Sequence, residues 1–442
     1  MKSVIVFIAV LLALSFVTVR AESSEPKNVI FMIGDGMGVN HITLTRTVDG
    51  ELNMDKFPYG GIVTTHSMNS LITDSAAAGT ALATGYKTNN GIISQTPDGK
   101  KLKTSLETAK EAGKSTGLVT TTRITHATPA VFATHIDDRD KENEIAEQLL
   151  MAGVDVLLGG GLRHFLPAGE GKREDSLNLV SEFINAGYTF VDDREGLFAA
   201  ESSPLLGLFT MSHMSYELDR EEEEPSVAEM TEKAIELLSR NEEGFFLMVE
   251  GGRIDHAAHA NDAASVVADT IAFDDAVGKA LDFAREDGET LVVVTADHST
   301  GGLTLGSGAE QWYNYEPLKD ISTSFESFAP LLNGQNTGEL FEIYFGISPG
   351  EEEIKRIDEA VKTEDLYAIE DSIAHVVSAR TNIVFTTTQH DGGAVPIFAY
   401  GAGAESFSGF MDNTDVGAGI KEMAVHGEEK GIINRVLDRI RG

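Results

Sequence analysis

Short apolar runs rich in valine and isoleucine alternate with helix-patterned segments along most of the chain, and few folds accommodate that rhythm. Residues 28–33, 116–122, 154–158, 245–250, 290–295, 382–387 and 395–400 read as strands; 75–84, 141–152, 225–240 and a long segment ending near 287 read as helices. Within the long segment Val266, Thr270, Phe273, Val277, Ala280 and Ala284 recur at spacings of 4, 3, 4, 3 and 4, one core-facing stripe. The pattern predicts an α/β fold, a doubly wound and mainly parallel central sheet with helices on both faces. Two stretches break it, 159–174 and about 299–381. The second carries the only tryptophan, Trp312, with Tyr313 and Tyr315, and reads either as a small inserted cap over the sheet or as a surface excursion whose aromatics fill a core of their own. In such sheets ligands sit beyond the carboxyl ends of the strands, so chemistry is expected there.

Residues 1–21 carry Lys2, an uncharged apolar run over 3–19, then Arg20 and Ala21, with small residues at the positions a signal peptidase reads. This predicts a secretory signal peptide followed by one catalytic domain over 22–442; left uncleaved, the run would serve as a membrane anchor. The chain holds 34 basic and 70 acidic residues, a formal charge of −36, and loses only Lys2 and Arg20 with the leader. That balance argues against nucleic acid as a specific partner and requires local positive charge wherever an anion is to bind. No cysteine is present, so an exported domain must be stabilised by core size, bound metals or subunit contacts.

Several common sites are excluded. The Gly113-Lys114-Ser115 triplet lacks the phosphate loop's earlier glycine, since position 108 is Thr. The glycines at 34, 36 and 38 depart from the dinucleotide pattern at Val39, and no G-x-S-x-G elbow or thiol is available. Oxygen and imidazole chemistry remains.

Asp35 follows the first strand among three glycines, a position open to close metal approach and equally suited to a plain turn. In Asp74-Ser75-Ala76-Ala77-Ala78 one of the first two residues suits a helix cap; alternatively Ser75 is a nucleophile whose alkoxide the helix end and a cation stabilise. Glu250, Asp255, His256 and His259 crowd into ten residues after a strand, with Asp255 and His259 one helical turn apart, as a cation site requires. Asp297, His298 and His390 sit where strands are expected to end, a place where a lone histidine also serves simple hydrogen bonding.

Taken in order with His126-Ala127-Thr128-Pro129, these blocks make the chain from Val29 to Gly401 resemble the alkaline phosphatases. The resemblance implies hydrolysis of phosphate monoesters through a phosphoserine on Ser75. It implies one zinc on Asp255, His259 and His390, a second on Asp35, Asp297 and His298, and a magnesium shared by Asp35, Thr128 and Glu250. Arg139 would grip the phosphate, and a homodimer is expected. His126 and His256 stand where one branch of the family has Asp and Lys; they are expected behind the ligands, leaving the third metal open to another divalent ion such as cobalt. A phosphodiesterase or sulfatase on the same scaffold, and an idle surface protein stabilised by its metals, are the competing expectations.

Overall fold

The computed structural model describes residues 25–308 and 312–425; the leader sequence lies outside them. Fourteen strands are described: β1 (Asn28–Gly34), β2 (Tyr59–Thr64), β3 (Ser115–Arg123), β4 (Val156–Gly160), β5 (Thr189–Val191), β6 (Leu205–Leu208), β7 (Phe245–Gly251), β8 (Thr290–Thr295), β9 (Ser299–Thr300), β10 (Thr304–Leu305), β11 (Ile383–Val384), β12 (His390–Asp391), β13 (Val395–Gly401) and β14 (Gly409–Asp412). Ten form one sheet in the order β14-β2-β13-β8-β1-β7-β3-β4-β6-β5. Every pairing in it is parallel except those of β13, which runs against both β8 and β2. β1, β7 and β8 are buried along their whole length, which explains their unbroken apolar sequences: each is covered on both faces and has no solvent side for polar residues.

Helices supply that cover. Ala263–Asp287 packs on Val227–Leu238 and on β8, β7 and β1, and all six residues of its expected stripe, Val266, Thr270, Phe273, Val277, Ala280 and Ala284, are buried. Ser75–Thr84 packs on Ala127–Ala133 and on Asn413–Met423. Its alanines and Gly79 permit the close approach, since a Cβ on Gly79 would stand 3.0 Å from Val131.

Two expectations change. The helix expected from Pro225 begins at Val227, because Ser226 caps it and Glu229 completes the capping box. The strand expected over 382–387 shrinks to β11, paired only with β10, because Asn382 is spent as the left-handed C-cap of the helix Leu366–Thr381. The segment from Leu303 to Ile383 carries a second apolar cluster built on Phe325, Phe328, Phe341 and Phe345 and seated against Ala263, Ala264 and Val267. Trp312 and Tyr313 are exposed and Tyr315 packs against the edge of that cluster, whose interior is filled by the phenylalanines.

Candidate active site

The carboxyl edge of the sheet gathers the expected residues. Asp35 follows β1 directly, Glu250 lies in β7, and Asp297 and His298 follow β8 after one residue. Thr128 lies in the helix Ala127–Ala133, which His126 caps after β3. Ser75 opens the helix that follows β2, with Asp74 as its cap, accepting from the Ala77 amide at 3.0 Å. Asp255, His256 and His259 share the short helix Arg253–His259. His390 ends no long strand: it lies in β12, paired with Thr300 across from β9. It still reaches the common edge, because β13 runs backwards and so begins where its neighbours finish.

Three buried carboxylates are half satisfied in the same way. Asp35 accepts from Thr128 Oγ1 through Oδ2 (3.2 Å), while its Oδ1 accepts no hydrogen bond. Asp297 accepts from the amides of Gly36 (3.1 Å) and His298 (2.9 Å) through Oδ1, and its Oδ2 is without a donor. Glu250 accepts from Thr120 and Thr122 through Oε2, and its Oε1 is without a donor. Buried oxygens without donors cost folding free energy, and a cation would satisfy all three. The turn bearing Asp35 requires glycine at Gly36, where φ is +68° and a Cβ would come within 2.8 Å of Asp255 Oδ1.

The imidazoles are aimed just as consistently. His259 donates Nδ1–H to the Thr388 carbonyl (2.6 Å) and His390 donates Nδ1–H to the Thr73 carbonyl (2.8 Å), so the Nε2 atom of each is turned toward Asp255, at 3.3 and 3.7 Å. Thr300 gives its hydroxyl proton to Asp255 Oδ1 (2.6 Å) and takes the Nδ1–H of His298 (3.2 Å). His298 Nε2 then faces Ser75 Oγ at 3.3 Å, Asp297 Oδ2 at 3.3 Å and Asp35 Oδ1 at 3.5 Å. Potential cation-binding groups accordingly gather as Asp255, His298 and His390, as Asp35, Asp297 and His298, and as Asp35, His126 and Glu250, each with its ligand atoms within 4.8 Å of one another. His259 flanks the first group through Asp255, and Thr128 the third through Asp35.

Electrostatics agree with this arrangement. Burial, then the charges of Asp297, Asp255 and Glu250, pushes Asp35 well above the usual carboxylate range. Burial lifts Glu250 to about 7, and burial with Asp255 lifts Asp297 to about 6. Burial also works to raise Asp255, but His259, His390 and His298 outweigh it and hold that carboxyl well below its ordinary value. Four carboxylates this close resist simultaneous ionisation unless positive charge joins them.

Arg139 donates to Asp74 Oδ2 (3.1 Å) and to His126 Nε2 (3.1 Å), which stations its guanidinium across the N-terminus of the Ser75 helix. Here the strongly acidic chain has its local positive charge.

A family model described as alkaline phosphatase matches residues 26–426. The chain belongs to the alkaline phosphatase family. Alkaline phosphatase 4 of Bacillus subtilis (strain 168) is 39% identical over 413 residues, covering 90% of this chain and 88% of that protein. The crystal structure of Thermus thermophilus alkaline phosphatase matches with a TM-score of 0.84 at 32% identity, covering 92% of this chain and 94% of that one. A variant of the alkaline phosphatase from the Antarctic bacterium TAB5, with one histidine replaced by glutamate and magnesium in its M3 site, matches with a TM-score of 0.69 at 29% identity, covering 92% of this chain and 99% of that one. This alkaline phosphatase family member is therefore a hydrolase, and its family and fold support action on phosphate monoesters.

Sequence reading named His126, His256 and Arg139 but missed His213, which closes a ring of histidines and arginines around the site. His213 packs edge-on against His256 (4.3 Å between ring centres) and His126 (5.4 Å), and His126 packs against His256 (5.7 Å). Each ring faces its own arginine: Arg123 at His213, Arg139 at His126 and Arg253 at His256. Burial and neighbouring positive charge hold all three imidazoles far below their ordinary values, so they are neutral. His213 lies in an irregular loop between Leu208 and Val227, with no strand end or motif to single it out.

Proposed function

We propose that the chain hydrolyses phosphate monoesters by two in-line displacements through a phosphoserine on Ser75. The observation that carries this reading is Ser75 Oγ, 3.3 Å from the free Nε2 of His298, at a helix N-terminus beside three carboxylate oxygens without donors. Amide donors and the helix dipole at that terminus favour the negative charge of an alkoxide and of a phosphoryl group. The Ser75 hydroxyl proton passes to solvent water as its oxygen bonds to phosphorus; the bond from phosphorus to the ester oxygen breaks on the opposite side, and that oxygen keeps the electron pair and takes a proton from water to give the alcohol. Water then attacks the phosphoserine from the side the alcohol vacated, restores Ser75 and yields phosphate. Arg139 spends two donors on Asp74 and His126 and keeps others for two phosphoryl oxygens, which suits a terminal dianionic phosphate.

The donor set suits divalent cations: Asp255, His259 and His390 for one zinc, Asp35, Asp297 and His298 for a second, and Asp35, Thr128 and Glu250 for a magnesium or another divalent ion such as cobalt. When bound, these ions supply Lewis-acid stabilisation to the serine alkoxide and the leaving oxygen. His126 lies beside the third group without serving as a direct ligand: because Arg139 donates to Nε2, the neutral ring carries its proton on Nδ1, which makes no hydrogen bond and cannot then bind a cation directly. His256, whose Nδ1 accepts from Arg253 at 3.0 Å, supports that ring from behind. Export by cleavage after Ala21 and a homodimer belong to the same reading; among the described residues no helix is long and apolar enough to cross a membrane.

Ser75→Ala is expected to lower kcat for an aryl phosphate by about 10³-fold or more while leaving the fold intact. An acid quench of the wild-type protein during turnover should trap phosphate on the peptide containing Ser75, detected by mass spectrometry. Undiminished turnover by the variant, or faster turnover of a diester or sulfate ester by the wild type, contradicts the proposal. Turnover titrated separately with zinc, magnesium and cobalt assigns the ions.

A further inference from the structure

One flank of the site opens into a cavity of about 630 Å³ that the displacement chemistry leaves unused. His256 and His259 form its inner wall together with Thr388 and Gln389, the residues just before His390. Its outer wall comes from the 303–383 segment, through Glu326 and the first turns of the helix Leu366–Thr381. Ser75 sits against His298, whereas His259 lies on the far side of Asp255. An in-line displacement sends the leaving oxygen away from Ser75, toward the His259 side and so toward this cavity.

The charges lining it are unbalanced. Arg253 lies 3.6 Å over the face of Tyr216 and pairs with Glu326 at 2.9 Å, so that carboxylate is matched. Asp371 pairs with Arg356 at 2.7 Å. Glu370 pairs with no cation among the described residues: it is 7% exposed and lines the cavity. Burial, with Glu326 and Asp262 nearby, lifts it to about 7, so it is ionised at alkaline pH. Tyr367, one helical turn before Glu370 on the same face, is 75% exposed and carries a free aromatic ring at the mouth of the same cavity. A carboxylate that faces the cavity without a protein donor, beside an open aromatic face, is the pairing that recognises a substituted ammonium ion.

We infer that this cavity receives the alcohol portion of the phosphate ester and that Glu370 and Tyr367 select alcohols bearing a cationic, quaternary-ammonium-like group. The inference rests on the phosphomonoesterase reading above.

The probe is a matched pair of esters: choline phosphate and its neutral carbon isostere, 3,3-dimethylbutyl phosphate. The wild-type holoenzyme is expected to show a kcat/KM about tenfold higher for the cationic ester, an advantage of about 1.4 kcal/mol. Glu370→Gln should bring that ratio close to one with little change for the neutral ester, and Tyr367→Ala, at an exposed position, should cut it severalfold. A wild-type ratio at or below one, or a ratio that neither substitution alters, overturns the inference and leaves the phosphomonoesterase reading standing. Failure to hydrolyse either ester, with all candidate metals supplied, overturns both.

Discussion

Asp74 does two tasks with one carboxylate: Oδ1 caps the Ser75 helix and Oδ2 holds Arg139 and the Gly91 amide. Asp74→Ala should therefore cost about 1 kcal/mol of stability from the lost cap. It should also raise KM for an aryl phosphate roughly tenfold, because a released guanidinium must be ordered on each binding event. Thermal melts and steady-state kinetics on the same preparation separate the two effects, and an unchanged KM would show that Arg139 needs no anchor. Thr300 is a comparable hinge of the network. Its single hydroxyl orients both Asp255 and His298, so Thr300→Val, which keeps the shape and removes the hydroxyl, should weaken retention of a divalent cation about 10- to 100-fold in competition with a chelator.

At the scale of elements, the short helix Arg253–His259 is placed by glycine. A Cβ on Gly252 would come within 2.2 Å of Thr122 Cγ2 and 3.0 Å of the Glu250 carboxyl, so Gly252→Ala must displace β3 or Glu250. A loss of about 1–3 kcal/mol is expected, together with a reduced response to added magnesium, readable by denaturant titration and by activation curves. The elements legible in the sequence were those whose signal is local. The helix Ser75–Thr84 and the strand β8 fall where expected because a cap, a run of alanines or a run of valines specifies each one. What depends on distant partners was not legible. Nothing around Val395 announces that β13 is reversed, and His390 owes its place at the site to that reversal. His213 was hidden for the same reason, since only folding brings its loop beside His126 and His256.

For the molecule as a whole, Glu250 provides a test of whether the site is built around cations. Burial raises its folded-state value to about 7 from the ordinary 4.5, so in metal-stripped protein the folded state holds a proton that the unfolded state releases. That contribution is fully present below about pH 4.5 and is lost as pH rises toward 7. Without metals, Glu250→Gln, which never ionises, should gain stability relative to wild type between pH 5 and pH 8. With metals restored the order should reverse, because the variant lacks a charged ligand. Urea midpoints in chelator and in metal-containing buffer at the two pH values give the comparison; an identical ranking in both would mean the carboxylate serves no cation.

The position of β2 has a consequence for the order in which the molecule is made. Its only neighbours in the sheet are β13 and β14, so Val63 finds its partners, Val395 and Met411, more than 330 residues later. A chain emerging from the ribosome can pair β1 with β7 and then β8, but it must carry β2 unpaired until Val395 and the residues after it appear. Ser75, the proposed nucleophile, thus follows a strand whose partners are made more than 330 residues later, and its helix gains the cover of Asn413–Met423 only then.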